Sequence, residues 1–186
     1  MKKSVIIGVA AGAVALFVIA WAAAPVVAAQ ALIRAAKAGD ERRIEQMVDF
    51  PSLRESLKVE LNAELMDRMR RDPRVADSGL GGLGMMLAPM ILSGAVDAVV
   101  TPEVVAQMVT TAEAPDPTRR PPPEPAGDEA DGDDIHQAWG YRSLNAFAVT
   151  LTDRDQPDDR LALILERRGL FKWQLAAVDL QTGPEA

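Results

Sequence analysis

The spacing of apolar and polar positions changes twice along the chain. From Ser4 to Ile33 no side chain carries a charge and most are apolar. Between Ala28 and Met108 apolar positions recur every three or four residues, the period of a helix with one buried face. From Phe147 onward the period falls to two, the mark of strands with one covered face. The pattern predicts an α+β fold. It has an N-terminal transmembrane helix, several amphipathic helices, and then a three- to four-stranded antiparallel sheet.

The first run sets the location. Ser4 to Ala24 spans roughly 31 Å as a helix at about 1.5 Å per residue, close to a hydrocarbon core of about 30 Å. A cleaved signal peptide has a shorter apolar centre of about 7 to 15 residues, so the length favours a retained anchor. Small residues at Ala22–Ala24 and Val27–Ala29 offer cleavage sites and keep a signal sequence as the alternative, ahead of a buried soluble helix. Pro25 is expected to end or kink the helix. Lys2 and Lys3 precede the run, which places the N-terminus in the cytoplasm; Trp21 falls near the outer interface. The expectation is a lipid bilayer crossed once by residues 4–24. In a bacterium that means the inner membrane, with a periplasmic body.

Five helical stretches follow. Ala28 to Lys37 is expected to close at Gly39, with Asp40 capping Glu41 to Val48, whose Ile44, Met47 and Val48 share a face. Ser52 with Glu55 reads as a capping box. It opens a helix striped by Leu53, Leu57, Leu61, Leu65 and Met69, which Asp72-Pro73 stops. Residues 78–96 are uncharged, and they read as a glycine loop plus a buried helix rather than a second membrane segment. Thr101-Pro102-Glu103 starts the last helix, with Val104, Val105 and Met108 on its apolar side.

Residues 113–135 are acidic, rich in proline and nearly free of large apolar side chains. They read as a disordered loop, since they cannot bury enough surface to offset their ordering entropy. The expected division is therefore 1–25 tip and anchor, 26–112 helical part, 113–135 loop, and 136–182 sheet of the same domain. Phe147, Val149 and Leu151 alternate on one strand, and Leu161, Leu163 and Leu165 on the next. Arg167-Arg168-Gly169 reads as a tight hairpin leading into Phe171, Trp173 and Leu175, with Trp139 and Tyr141 as candidates for a first strand.

Composition narrows the chemistry. There is no cysteine, hence no disulfide and no thiol nucleophile. A formal charge of −7 argues against nucleic acid. Gly79 to Gly84 spells G-x-G-x-x-G, but follows a polar segment rather than a strand, so a flexible loop is favoured over a dinucleotide site. Asp131, Asp133, Asp134 and the single histidine, His136, sit in or beside the acidic loop with no rigid frame to set a metal's geometry. No catalytic, cofactor or metal residue is assigned, and no cofactor is expected. The candidate pocket is aromatic, with Trp139, Tyr141, Arg142 and Trp173 as its lining and Gln174 as a further polar point. The plainer account is a sheet packing its aromatics against helices.

Ala35-Ala36-Lys37-Ala38-Gly39-Asp40, followed by Val48-Asp49-Phe50-Pro51-Ser52-Leu53-Arg54-Glu55-Ser56-Leu57-Lys58, resembles the bacterial family named domain of unknown function 2939. Val99-Val100-Thr101-Pro102-Glu103 and Phe171-Lys172-Trp173 are similar to it as well. The resemblance implies a short membrane-anchored protein and carries no catalytic residues. At fold level, helices with an Ala-Gly-Asp turn before a curved sheet are similar to the cone-shaped nuclear-transport-factor-two-like fold. The functional expectation is a non-enzymatic tethered module that binds an apolar small molecule or a protein partner. An assembly subunit and a pocket enzyme are the alternatives.

Overall fold

A computed structural model describes residues 2–71, 93–111, 135–153 and 159–182. Helix α1 (Lys2–Lys37) is a single helix of 36 residues, roughly 54 Å long at 1.5 Å per residue. Pro25 lies inside it, so the expected break between an anchor and a separate helix is absent. A proline removes one hydrogen bond, to the Trp21 carbonyl, and crowds that turn. Here the ring is buried in the body and alanines, strong helix formers, flank it. Packing therefore carries the helix through. Among the described residues α1 is the one helix long and apolar enough to cross a membrane, a property it shares with signal sequences.

The two halves of α1 meet different surroundings. Residues 7–20 are exposed throughout, whereas Ala29, Leu32, Ala35 and Ala36 are in the core. The helix stops as expected. Gly39 takes φ +62°, its N–H reaches the Ala36 carbonyl at 3.0 Å, and the Asp40 N–H reaches the Ala35 carbonyl at 2.9 Å. Asp40 then caps α2 (Glu41–Met47), accepting from the Arg43 N–H at 3.2 Å.

Val48 and Asp49 run alongside the sheet before α3 (Phe50–Arg71) begins. The expected capping box at Ser52 is not what starts α3. Asp49 is the cap, its Oδ1 accepting the Ser52 N–H at 3.3 Å, and the helix opens three residues earlier. An aspartate at this position takes the first free N–H groups before a serine further on can. Leu53 and Leu57 are buried and Leu61 half-buried, as the stripe predicts. The side chains of Leu65 and Met69 lie outside the described residues, as do most of 78–96 and the acidic loop. Residues 93–99 are helical, with Val96 buried. Helix α4 (Pro102–Thr111) is capped by Thr101 Oγ1, which accepts the Val104 N–H at 3.3 Å. It buries Val105, Met108 and Val109.

The sheet is an antiparallel meander in the order β1 (Ile135–Ser143), β2 (Ala146–Asp153), β3 (Asp159–Arg167), β4 (Trp173–Thr182). His136 is in β1 and exposed, not in the acidic loop. The β3–β4 connection runs over 168–172, wider than a hairpin at Arg167–Gly169, and Phe171 belongs to it rather than to the last strand. One face carries Phe147, Val149, Leu151, Leu161, Leu163, Leu165, Trp173, Leu175 and Val178, all buried in one cluster with residues of the helices. The outer edge of β4 is occupied. Val48 bridges to Leu175, and the Asp49 N–H reaches the Leu175 carbonyl at 2.8 Å. Ser56 Oγ both donates to the Val178 carbonyl at 3.0 Å and accepts its N–H at 3.1 Å. Helix α3 thus closes an edge that would otherwise be open to pairing.

Candidate functional site

Seven side chains converge where α1 leaves the body. The end of β3 supplies Arg167, the start of β4 Trp173, and the end of β1 Tyr141. From α1 come Phe17 and Trp21, four residues apart and so on one face. The Arg167 guanidinium lies between two indoles, 4.1 Å from the Trp21 ring centroid and 4.3 Å from that of Trp173. Both distances favour cation–π attraction. Tyr141 stands edge-on to Phe147 at 5.1 Å and to Trp173 at 6.1 Å. Its hydroxyl donates to the Ala22 carbonyl at 2.8 Å, in the turn that Pro25 loosens. Phe171 meets Phe17 edge-on at 5.6 Å.

The same guanidinium ties the two hairpin tips together. Its Nε and Nη2 donate to the Leu144 carbonyl at 3.2 and 3.0 Å, and its Nη1 donates to the Leu170 carbonyl at 2.9 Å. Its neighbour Arg168 points to α3 instead. Nε and Nη2 of Arg168 reach Asp49 Oδ2 at 3.0 and 2.8 Å, and Nη1 reaches Glu166 at 2.7 Å. Partial burial pushes the Asp49 carboxyl up. Hydrogen bonds from Arg168 and from the Ser52 N–H and hydroxyl outweigh that and hold it below its usual value. The bond to Asp49 raises the Arg168 guanidinium in turn, against the effect of burial.

Beside the cluster an open groove of about 790 Å³ runs along α1. Ala20, Ala24 and Ala28 form its floor, and Met47, Phe171 and Trp173 its walls. Small residues on the helix make the hollow; larger ones would fill it. The Trp173 indole N–H is buried without an acceptor among the described residues. An orphaned donor costs roughly 1–3 kcal/mol.

The expected pocket residues separate. Tyr141 and Trp173 come together, and Trp139 joins them through Phe147 at 6.3 Å. Gln174 turns to α2, donating to the Gln46 carbonyl at 2.9 Å, and also lines the groove. Arg142 is not part of this site. It is on the opposite face, paired with Asp179 at 2.7 Å. β1 and β4 are three strand spacings apart, roughly 14 Å in a flat sheet, so this pair requires the sheet to curl toward that face. Phe17, Trp21 and Arg167 were not expected in the site. Phe17 and Trp21 fall on the anchor side of the break expected at Pro25, which the structure does not contain. Among the described residues no group of three or more histidine, aspartate or glutamate side chains is placed to hold a metal.

No curated protein and no solved structure matches the chain, so the likeness to the cone-shaped transport-factor fold has no support beyond the curl of the sheet. A family model described as "Protein of unknown function (DUF2939)" matches residues 14–108, just over half of the 186 residues.

Proposed function

The chain belongs to the DUF2939 family, and from the geometry around α1 we propose that it is a membrane-tethered binding module rather than an enzyme. It would hold an apolar small molecule in the groove beside its anchor. The supporting observation is that one helix is at once the apolar run and the floor of the groove. Ala20 lies within residues 4–24, and Ala24, Ala28 and Ala31 continue the same lining into the body. A ligand dissolved in the bilayer would pass along α1 without crossing water. The groove's volume suits a small molecule, for which about 300–1,000 Å³ is usual. Lys2 and Lys3 favour a cytoplasmic N-terminus, which in a bacterium puts the body on the periplasmic side of the inner membrane.

Native mass spectrometry of the full chain, released gently from its own membrane, tests the proposal. A retained apolar molecule that is lost on Ala24→Leu substitution, which fills the groove floor, supports it. A chain that carries no small molecule, or only a second protein, overturns it. The second result would instead favour the assembly role.

A further inference from the structure

The two hairpin tips next to the anchor are the least water-adapted part of the described body. Leu144 in the β1–β2 tip is 72% exposed; Leu170 and Phe171 in the β3–β4 tip are 58% and 46% exposed. We propose that these tips sit in the outer leaflet of the bilayer that α1 crosses, so that the body rests in the membrane surface rather than above it. This rests on the reading of α1 as a membrane span.

Depth along α1 gives the first argument. If the hydrocarbon begins at Ser4, a core of about 30 Å ends near Ala24. Trp21 then lies roughly 4–5 Å below that boundary and Phe17 roughly 10 Å below it, at 1.5 Å per residue. Phe171 touches Phe17. Whatever depth Phe17 occupies, the β3–β4 tip occupies too. Lifting the tip into water would pull Phe17 to Ala24 out of the bilayer with it and leave about 20 Å of helix for a 30 Å core.

The tips meet part of the condition that lipid imposes. Backbone groups inside hydrocarbon need partners within the protein. The Leu144 and Leu170 carbonyls accept from Arg167, and the Asn145 carbonyl accepts the Arg167 N–H at 3.0 Å. The Asn145 N–H reaches Ser143 Oγ at 3.2 Å, and the Arg168 N–H the Lys172 carbonyl at 2.9 Å. The Arg167 charge is itself shielded between two indoles. Around this level stand Trp21 and Tyr141, residue types favoured at the interface.

Charge points the same way. The chain is acidic overall, at −7, yet neither tip (143–145 or 168–172) contains a carboxylate. Lys172, exposed beside Leu170 and Phe171, is placed to meet lipid phosphates while the apolar pair goes deeper.

Because the chain has no cysteine, single labelling sites are clean. The test places an environment-sensitive fluorophore on Leu170→Cys, Val14→Cys and Ala38→Cys in the full chain. The protein is reconstituted in phosphatidylcholine vesicles with a minority of phosphatidylglycerol and a nitroxide lipid as quencher. Val14 reports the span, and Ala38 the far end of α1, roughly 30 Å away from Phe17. The inference expects blue-shifted, lipid-quenched emission from Leu170 and Val14 and neither from Ala38. Quenching at Val14 with a water-like Leu170 overturns the docked tips and leaves the anchor standing. No quenching at Val14 overturns the span itself, and the docked tips with it.

Discussion

Asp49 joins three parts of the molecule through one carboxylate. It caps α3, its N–H extends the edge of β4, and its Oδ2 receives Arg168 from the β3–β4 connection. Its carboxyl is held below the usual value in the folded chain. A carboxyl lowered on folding contributes stability above its unfolded pKa, and that contribution fades as pH falls through the folded value. Asn at this position still caps a helix, so Asp49→Asn removes mainly the charge. Thermal unfolding of the two proteins should therefore differ most at neutral pH and converge below about pH 4. A gap independent of pH would show that the charge on Asp49 contributes nothing. The residue was in plain view in the Asp-Phe-Pro-Ser string. Ser52 was the more familiar cap, and nothing local shows that Arg168, 119 positions away, would select Asp49.

Among the elements, one guanidinium links both hairpin tips and contacts α1 as well. Replacing Arg167 by alanine removes its bonds to the Leu144 and Leu170 carbonyls and two ring contacts. The loss should be roughly 3 kcal/mol, given about 1.5–3 for hydrogen bonds to a charged group and 0.5–1 for a cation–π contact. Arg167→Lys should recover less than half of it, because an ammonium cannot reach both carbonyls as a planar fork does. Unfolding in mild detergent measures both variants. Lysine restoring full stability would mean that the charge, not the fork, matters. The elements themselves were legible. Helix and strand periods, the Gly39 stop, the Thr101 cap and the meander order all follow from local pattern. The continuity of α1 through Pro25 did not, because it depends on packing around the proline ring. The site was half-legible for the same reason. Tyr141 and Trp173 stood out as aromatics on a strand, whereas Phe17 and Trp21 looked like lipid-facing residues of a separate anchor. Arg142 was placed with them by proximity in sequence, although successive residues of a strand face opposite sides.

For the molecule as a whole, the orientation proposed above has a direct consequence. Alkaline phosphatase fused after Ala186 should be active, since the sheet and the C-terminus follow α1 to the outer side. A stably expressed but inactive fusion would reverse that orientation.

A last consequence concerns mechanics. Most tethered domains hang from their anchors by a loose strap, and their attitude toward the bilayer is free. Here the apolar shaft proposed to enter the lipid is the same rod that the core grips, from Ala29 to Ala36, with no joint between them. Any lean of the rod becomes a lean of the body. A transmembrane helix leans by about 20° on average, and by more where the bilayer thins. Over the 30 Å from Phe17 to Ala38, a 20° lean swings the far end sideways by roughly 10 Å. Tips docked as proposed, on one flank of the rod, would act as an outrigger and bias the direction of that swing. With α1 as the span proposed above, bilayer thickness would be converted into the pitch of a folded domain, the geometry of a tilt gauge.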